Sequence, residues 1–295
     1  MAEQKHHYIP EFYLKQWAGR DCRLIEFCRR HQKGKDIVVA RPTYPSGTGY
    51  MRGLYTMRDA PQALKDILED KYLNLADGIA ALSLQVMLTE SVVPTGPHKI
   101  GWTRFLMSLL YRTPEGVART VEMVRKYYEN NELTNEMKAV YATTKGKDDP
   151  GTAEEFMQLH GARIRESTTV RLLMKIIESE QVREKITGMQ WHLGRLEGLR
   201  YPLLTSDRPM VMTNGLTAVD SHIIMPLSPK HIFIATNTDE EANKIKALAR
   251  GPELAKRLND RMARQARKFV YGLDADQLRF VESRLGEKVA CSPFE

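Results

Sequence analysis

The sequence predicts an α+β fold, mostly helical, with a mainly antiparallel sheet formed largely by the C-terminal half. Three observations lead there. Residues 61–181 read as a block of apolar and amphipathic helices. Residues 189–236 read as five short β-type runs broken by Gly, Pro, Asn and Asp, and connections that short favour antiparallel neighbours. The two kinds of segment are segregated along the chain. Residues 1–295 read as a single domain with three sub-parts: N-terminal strands (1–57), a helical block (58–182), and a sheet with C-terminal helices (183–295).

Taken in order, the chain opens on Lys5-His6-His7-Tyr8-Ile9-Pro10. Pro10 suits the first position of a helix, and Tyr13, Leu14, Trp17 and Ala18 follow at the spacing of one buried face. His6 and His7 sit just outside that helix, where its positive end favours neutral imidazole. Arg23 to Arg29 and Asp36 to Arg41 read as a hairpin with the basic tip Gln32-Lys33-Gly34-Lys35. Tyr50 to Met57 reads as a third strand carrying Arg52.

Pro61 opens a long helix. Leu68, Tyr72, Leu75, Ile79, Leu82 and Val86 form a heptad-like stripe on it, read as the buried face of a core helix, with pairing between two copies as the lesser reading. Glu69, beside the stripe, reads as solvated. Ile100 to Tyr111 is apolar nearly all round and should be buried. Arg112 ends it; Thr113 and Pro114 then read as cap and first position of the next helix. Thr152 with Glu155 makes a capping box opening a helix to about Gln181. After the strands, Thr238 or Asp239 caps a helix to about Arg250, Gly251-Pro252 breaks it, and a last long helix is expected from Glu253 to about Tyr271. The N-terminal strands are expected to join the C-terminal sheet and bring His7 near Asp207.

The composition, 42% hydrophobic and 27% charged, is that of a globular chain. No apolar run is long enough to span a membrane, and the N-terminus lacks the apolar core of a secretory signal. The 3 cysteines have no zinc-site spacing; Cys22 and Cys28 fall within a predicted strand, and a reduced, cytoplasmic protein is expected. The net charge of +7 and pI near 9.2 permit nucleic acid or a phosphate-bearing ligand as partner.

His7-x-x-Pro10 followed by Phe12-Tyr13-Leu14 resembles the opening of the proteins filed as domain of unknown function 4238. Further pieces fit in the same order: Arg52-Gly53-Leu54-Tyr55-Thr56, Arg112-Thr113-Pro114, Thr205-Ser206-Asp207-Arg208-Pro209, Pro226-Leu227-Ser228-Pro229, and Asn259 before Phe269-Val270-Tyr271. The resemblance implies site positions rather than a reaction. Its Trp17 position is more often Phe, a difference of packing alone.

The candidate residues follow from side-chain chemistry. His6, His7, Ser206 and Asp207 are the catalytic candidates. His7 with Asp207 could hold a divalent metal or act as an acid–base pair. Arg52 and Arg112 are anion-binding candidates. Arg257, Arg261, Arg264 and Lys268 are expected to form one continuous basic stripe on the last helix, suited to a phosphate backbone. Asn259 falls on that helix's apolar face and needs a buried partner. No standard short motif for zinc hydrolysis, nucleotide phosphates or a nucleophilic serine occurs. The best functional expectation is a hydrolase, a metal-dependent nuclease or phosphoesterase. The alternatives are a nucleic-acid-binding module without catalysis and a regulatory protein-interaction protein; the stripe of the long helix keeps a homodimer in view.

Overall fold

The computed structural model describes residues 4–286 apart from 33, 58–66 and 214. The helix start expected at Pro61, Lys33 of the hairpin tip and Cys291 lie outside the described residues. Strand β1 (Lys5–His7) leads into α1 (Glu11–Leu14), and a 3-10 turn, Lys15–Trp17, tightens its end. Pro10 caps α1 from an extended conformation instead of occupying its first turn. Tyr13, Leu14 and Trp17 are fully buried, as their spacing requires. Tyr13 donates to the Pro226 carbonyl (2.8 Å) and Trp17 Nε1 to the Leu203 carbonyl (2.8 Å), so each buried polar atom is satisfied by the C-terminal half. Cys22 lies in a turn, not a strand, and the hairpin follows as β2 (Leu24–Gln32) and β3 (Lys35–Thr43). The third strand is shorter than expected: β4 is Tyr50–Arg52, because Gly53 at φ 62 turns the chain.

The long helix departs most from expectation. A π-helical turn, Leu68–Leu73, precedes α2 (Asn74–Thr89). A π turn inserts an extra residue per turn and rotates every later side chain. The stripe from Leu68 to Val86 therefore does not stay on one face. Leu68 and Leu73 are buried, but beyond them Ala76, Ala80, Leu84 and Met87 take the inside, while Leu75 and Leu82 are exposed. Glu69, expected in solvent, is buried. Helix α3 (Gly96–Tyr111) is buried nearly all round, and Gly101 lets it approach Ile79 closer than any Cβ would permit. Thr113 caps α4 (Pro114–Asn130) by accepting from Gly116 N–H at 3.1 Å. After α5 (Asn135–Thr144), the Thr152–Glu155 capping box opens α6 (Ala153–Ile177), which stops before Gln181 so that α7 (Glu180–Gly188) can begin.

The C-terminal half supplies β5 (Gln190–Arg195), β6 (Thr205–Ser206), β7 (Val211–Thr213), β8 (His222–Pro226) and β9 (His231–Thr236). It then forms α8 (Asp239–Ala249, capped by Thr238), α9 (Glu253–Gln265), β10 (Phe269–Gly272) and α10 (Leu278–Glu282). One four-stranded sheet runs β5-β9-β8-β7; another runs β3-β2-β10-β6; β1 pairs β4 alone. Every pairing described is antiparallel. The fold is α+β and mostly helical, and the N-terminal hairpin does join C-terminal strands through β10. Helix α9 ends at Gln265 rather than near Tyr271. The aromatic and β-branched run Phe269-Val270-Tyr271 pairs with β2 on one side and β6 on the other. One apolar core joins α1, α2, α3 and the inner face of the β8–β9 sheet, and a second lies under α8, α9 and β10. No described helix is long and apolar enough to cross a membrane.

Candidate functional site

Three features of β1 and β4 assemble a surface. The register pairs Lys5 with Arg52, His6 with Met51 and His7 with Tyr50. Residues directly opposite share a face, and alternate residues share it along each strand. Lys5, His7, Tyr50 and Arg52 therefore stand on one side of the ribbon and His6 with Met51 on the other. Gly49 holds the ribbon's end: its carbonyl accepts from Tyr8 and Ile9 N–H at 2.9 and 3.0 Å, and a side chain there would press on Ile9 and Leu14.

On that face Lys5 Nζ lies 4.5 Å over the Tyr50 ring, and the His7 ring is 5.5 Å from it. His7 Nε2 makes no hydrogen bond and lies 3.6 Å from Glu11 Oε1, one helical turn into α1. The Ser46 carbonyl accepts from the ring. Burial lowers the imidazole pKa below its ordinary 6.5, against the pull of Glu11, with Arg112 and Lys5 adding to the lowering. His7 is thus a neutral imidazole at neutral pH with its Nε2 enclosed, a carboxylate beside it and two cations on the same face of the ribbon. Such a group can take up and return a proton beside an anion.

The other candidates are elsewhere or sealed. His6 is fully buried; its Nδ1 accepts from Tyr55 N–H (2.9 Å) and its ring stacks on Tyr55 at 5.1 Å. Arg112 is buried, with a fork on Asp77 (2.8 and 3.2 Å) and Nε on the Tyr8 carbonyl (3.0 Å); its own carbonyl accepts from the Tyr55 hydroxyl at 2.5 Å. Ser206 Oγ donates to the Arg208 carbonyl (2.9 Å) and accepts from Arg208 N–H (3.2 Å), a closed local turn. Asp207 accepts three backbone N–H groups, from Arg267 (2.9 Å), Lys268 (2.7 Å) and Phe269 (3.1 Å). Burial pushes its carboxyl up to about 6 while those donors pull it down. Asp207 acts electrostatically on Tyr8, the neighbour of His7, and no described contact joins it to His7 itself. Among the described residues no group of three or more His, Cys, Asp and Glu could hold a metal.

Residues 5–276 match the family described as protein of unknown function (DUF4238). The chain belongs to that family. Comparisons with curated proteins and with solved structures give no match. The motif pieces of the DUF4238 chain converge on the N-terminal segment: Tyr8 bonds Arg112, His6 bonds Tyr55, Tyr13 bonds Thr205 (2.7 Å) and Pro226.

The basic stripe expected on the last helix is broken. Lys268 lies beyond the end of α9 and sits 5.1 Å over the Phe269 ring. Arg257 pairs with Glu253 (2.8 Å) and Arg264 with Asp260 (2.9 Å), while Arg261 is half-buried. Asn259 has the buried partners its position demands: Oδ1 accepts from Leu204 N–H (2.8 Å) and Nδ2 donates to Pro202 and Gln277 (3.0 Å each). Sequence reasoning missed Lys5, Tyr50 and Glu11 as members of the open face. The period-two spacing of Lys5-x-His7 and Tyr50-x-Arg52 was the available signal.

Proposed function

We propose that this protein is a hydrolase of phosphate esters, with a nuclease as its sharper form, and that the β1–β4 ribbon is its site. His7 is the proton-transfer group, Glu11 steadies it, and Lys5 and Arg52 hold the anion. One observation carries the reading: Lys5 and Arg52 are directly opposite each other across the ribbon. A phosphate between them would be held by two cations and would lie on the same face as the His7 imidazole. The net charge of +7 favours the approach of such a substrate.

The test is turnover of bis(p-nitrophenyl) phosphate and of a single-stranded oligonucleotide, with and without added Mg²⁺ or Mn²⁺. His7→Ala is expected to abolish turnover with the circular dichroism spectrum retained, and Arg52→Ala to raise KM. Full activity in His7→Ala rules out the site. Salt-dependent oligonucleotide binding without turnover, with a salt slope that falls by about one in Arg52→Ala, would instead favour a binding module on the same face.

A further inference from the structure

A cavity of about 560 Å³ lies between α3, α6, α7 and the β7–β8 connection, apart from the ribbon. That is the size of a small-molecule site. Its floor is apolar and buried, with Met107, Ile186 and Ile223. Leu172 and Ile176 of α6 form a half-buried wall. Lys175 and Ser179, from the same side of α6 and the turn after it, bring polar atoms to this lining.

The polar atoms have no work in the fold. Lys175 is exposed and makes no ion pair among the described residues, and the Ser179 hydroxyl makes no hydrogen bond there although it precedes α7. Arg171, one helical turn before Lys175, is exposed and equally unpaired. The carboxylates flanking Ser179 are already engaged: Glu178 by Arg104 (3.0 Å) and the Tyr72 hydroxyl (2.6 Å), Glu180 by Arg183 (3.1 Å). The uncompensated charge at this edge is positive, and the interior offers methionine and aliphatic side chains, which adapt to a flexible chain.

We propose that the cavity binds a fatty-acid-like carboxylate, its hydrocarbon chain against Met107, Ile186 and Ile223 and its head group against Lys175 and Ser179. The chain gains by leaving water, and the carboxylate gains a charge-assisted bond at the rim. A neutral alcohol of equal length keeps only the first gain; a cationic amphiphile is repelled.

Isothermal titration of the full chain, stripped of bound lipid, with dodecanoate below its micelle concentration tests this. One molecule per chain is expected. Lys175→Glu, at an exposed position that leaves the core intact, should weaken dodecanoate by on the order of tenfold or more and leave dodecanol unaffected. Leu172→Trp, which fills the wall, should remove both ligands with the circular dichroism spectrum retained. Absence of dodecanoate binding overturns the proposal. So does dodecanol binding as tightly as dodecanoate with Lys175→Glu indifferent, and so does binding that survives Leu172→Trp.

Discussion

Arg52 and Arg112 both stand in motif segments, and the fold uses them in opposite ways. Arg112 is enclosed, and its bonds go to Asp77, Tyr8, Ser108 and, through its carbonyl, Tyr55. Arg52 is exposed on a two-strand ribbon opposite another cation. Asp207 and Asn259 belong with Arg112; Lys5, His7 and Tyr50 belong with Arg52. The sealed group ties distant segments together, since each member bridges elements far apart in the chain. The open group stands on the surface ribbon, with Lys5 and Arg52 exposed and His7 and Tyr50 half-buried beside them. A shared motif therefore marks two kinds of residue, and burial with satisfied polar atoms separates them.

The division breaks first at Arg112 if it is wrong. Removing the guanidinium strands Asp77 and the Tyr8 carbonyl in a largely buried setting, and breaking such a pair costs roughly 3–5 kcal/mol. Arg112→Ala should lower the unfolding free energy from urea titration by that amount; a loss under about 1 kcal/mol would place Arg112 with the open group instead. Asp207→Ala comes next. It leaves the N–H groups of Arg267, Lys268 and Phe269 without acceptors, at roughly 3 kcal/mol or more. Asp207→Asn should not rescue it, because an amide turns N–H toward N–H. Asn259→Ala should cost about 2 kcal/mol, having lost one acceptor and one donor group shared by Leu204, Pro202 and Gln277.

What was legible in the sequence follows the same line. Signals that act within a few residues held: the Thr113-Pro114 start, the Thr152–Glu155 box, the Thr238 cap and the buried Tyr13-Leu14-Trp17 face. Errors came where a distant partner or a local irregularity decided the outcome. The heptad-like stripe assumed an uninterrupted 3.6-residue turn, and one π turn at Leu68–Leu73 rotated it. The last helix stopped at Gln265 because Asp207, far back in the chain, captures the N–H groups that a longer helix would have used. The N-terminal segment does come near Asp207, whose charge acts on Tyr8, while the carboxylate itself is committed to three backbone N–H groups. Asn259 was readable because a buried amide demands partners whatever their identity, although nothing pointed to Gln277.

The smallest stability effect and the sharpest test belong to His7. Its ring is mostly buried and packs near Tyr50, but its Nε2 has no hydrogen bond to lose, so His7→Ala should cost only about 1 kcal/mol at pH 7. Because the folded pKa lies below the unfolded 6.5, the unfolded chain binds the extra proton first. The stability from neutral His7 is fully present above 6.5 and is lost as pH falls through the lower folded value. Wild type and His7→Ala should accordingly converge in urea midpoint as the solution is acidified, once His192 and His231, whose pKa values burial also lowers, are replaced by Gln in both backgrounds. If His7 is the proton acceptor in the reaction, the acid limb of kcat/KM must follow the same lowered pKa, because that limb reports the free enzyme. An acid limb at or above 6.5 would assign the titration to another group, and one that survives His7→Ala would remove His7 from the chemistry while leaving it on the ribbon.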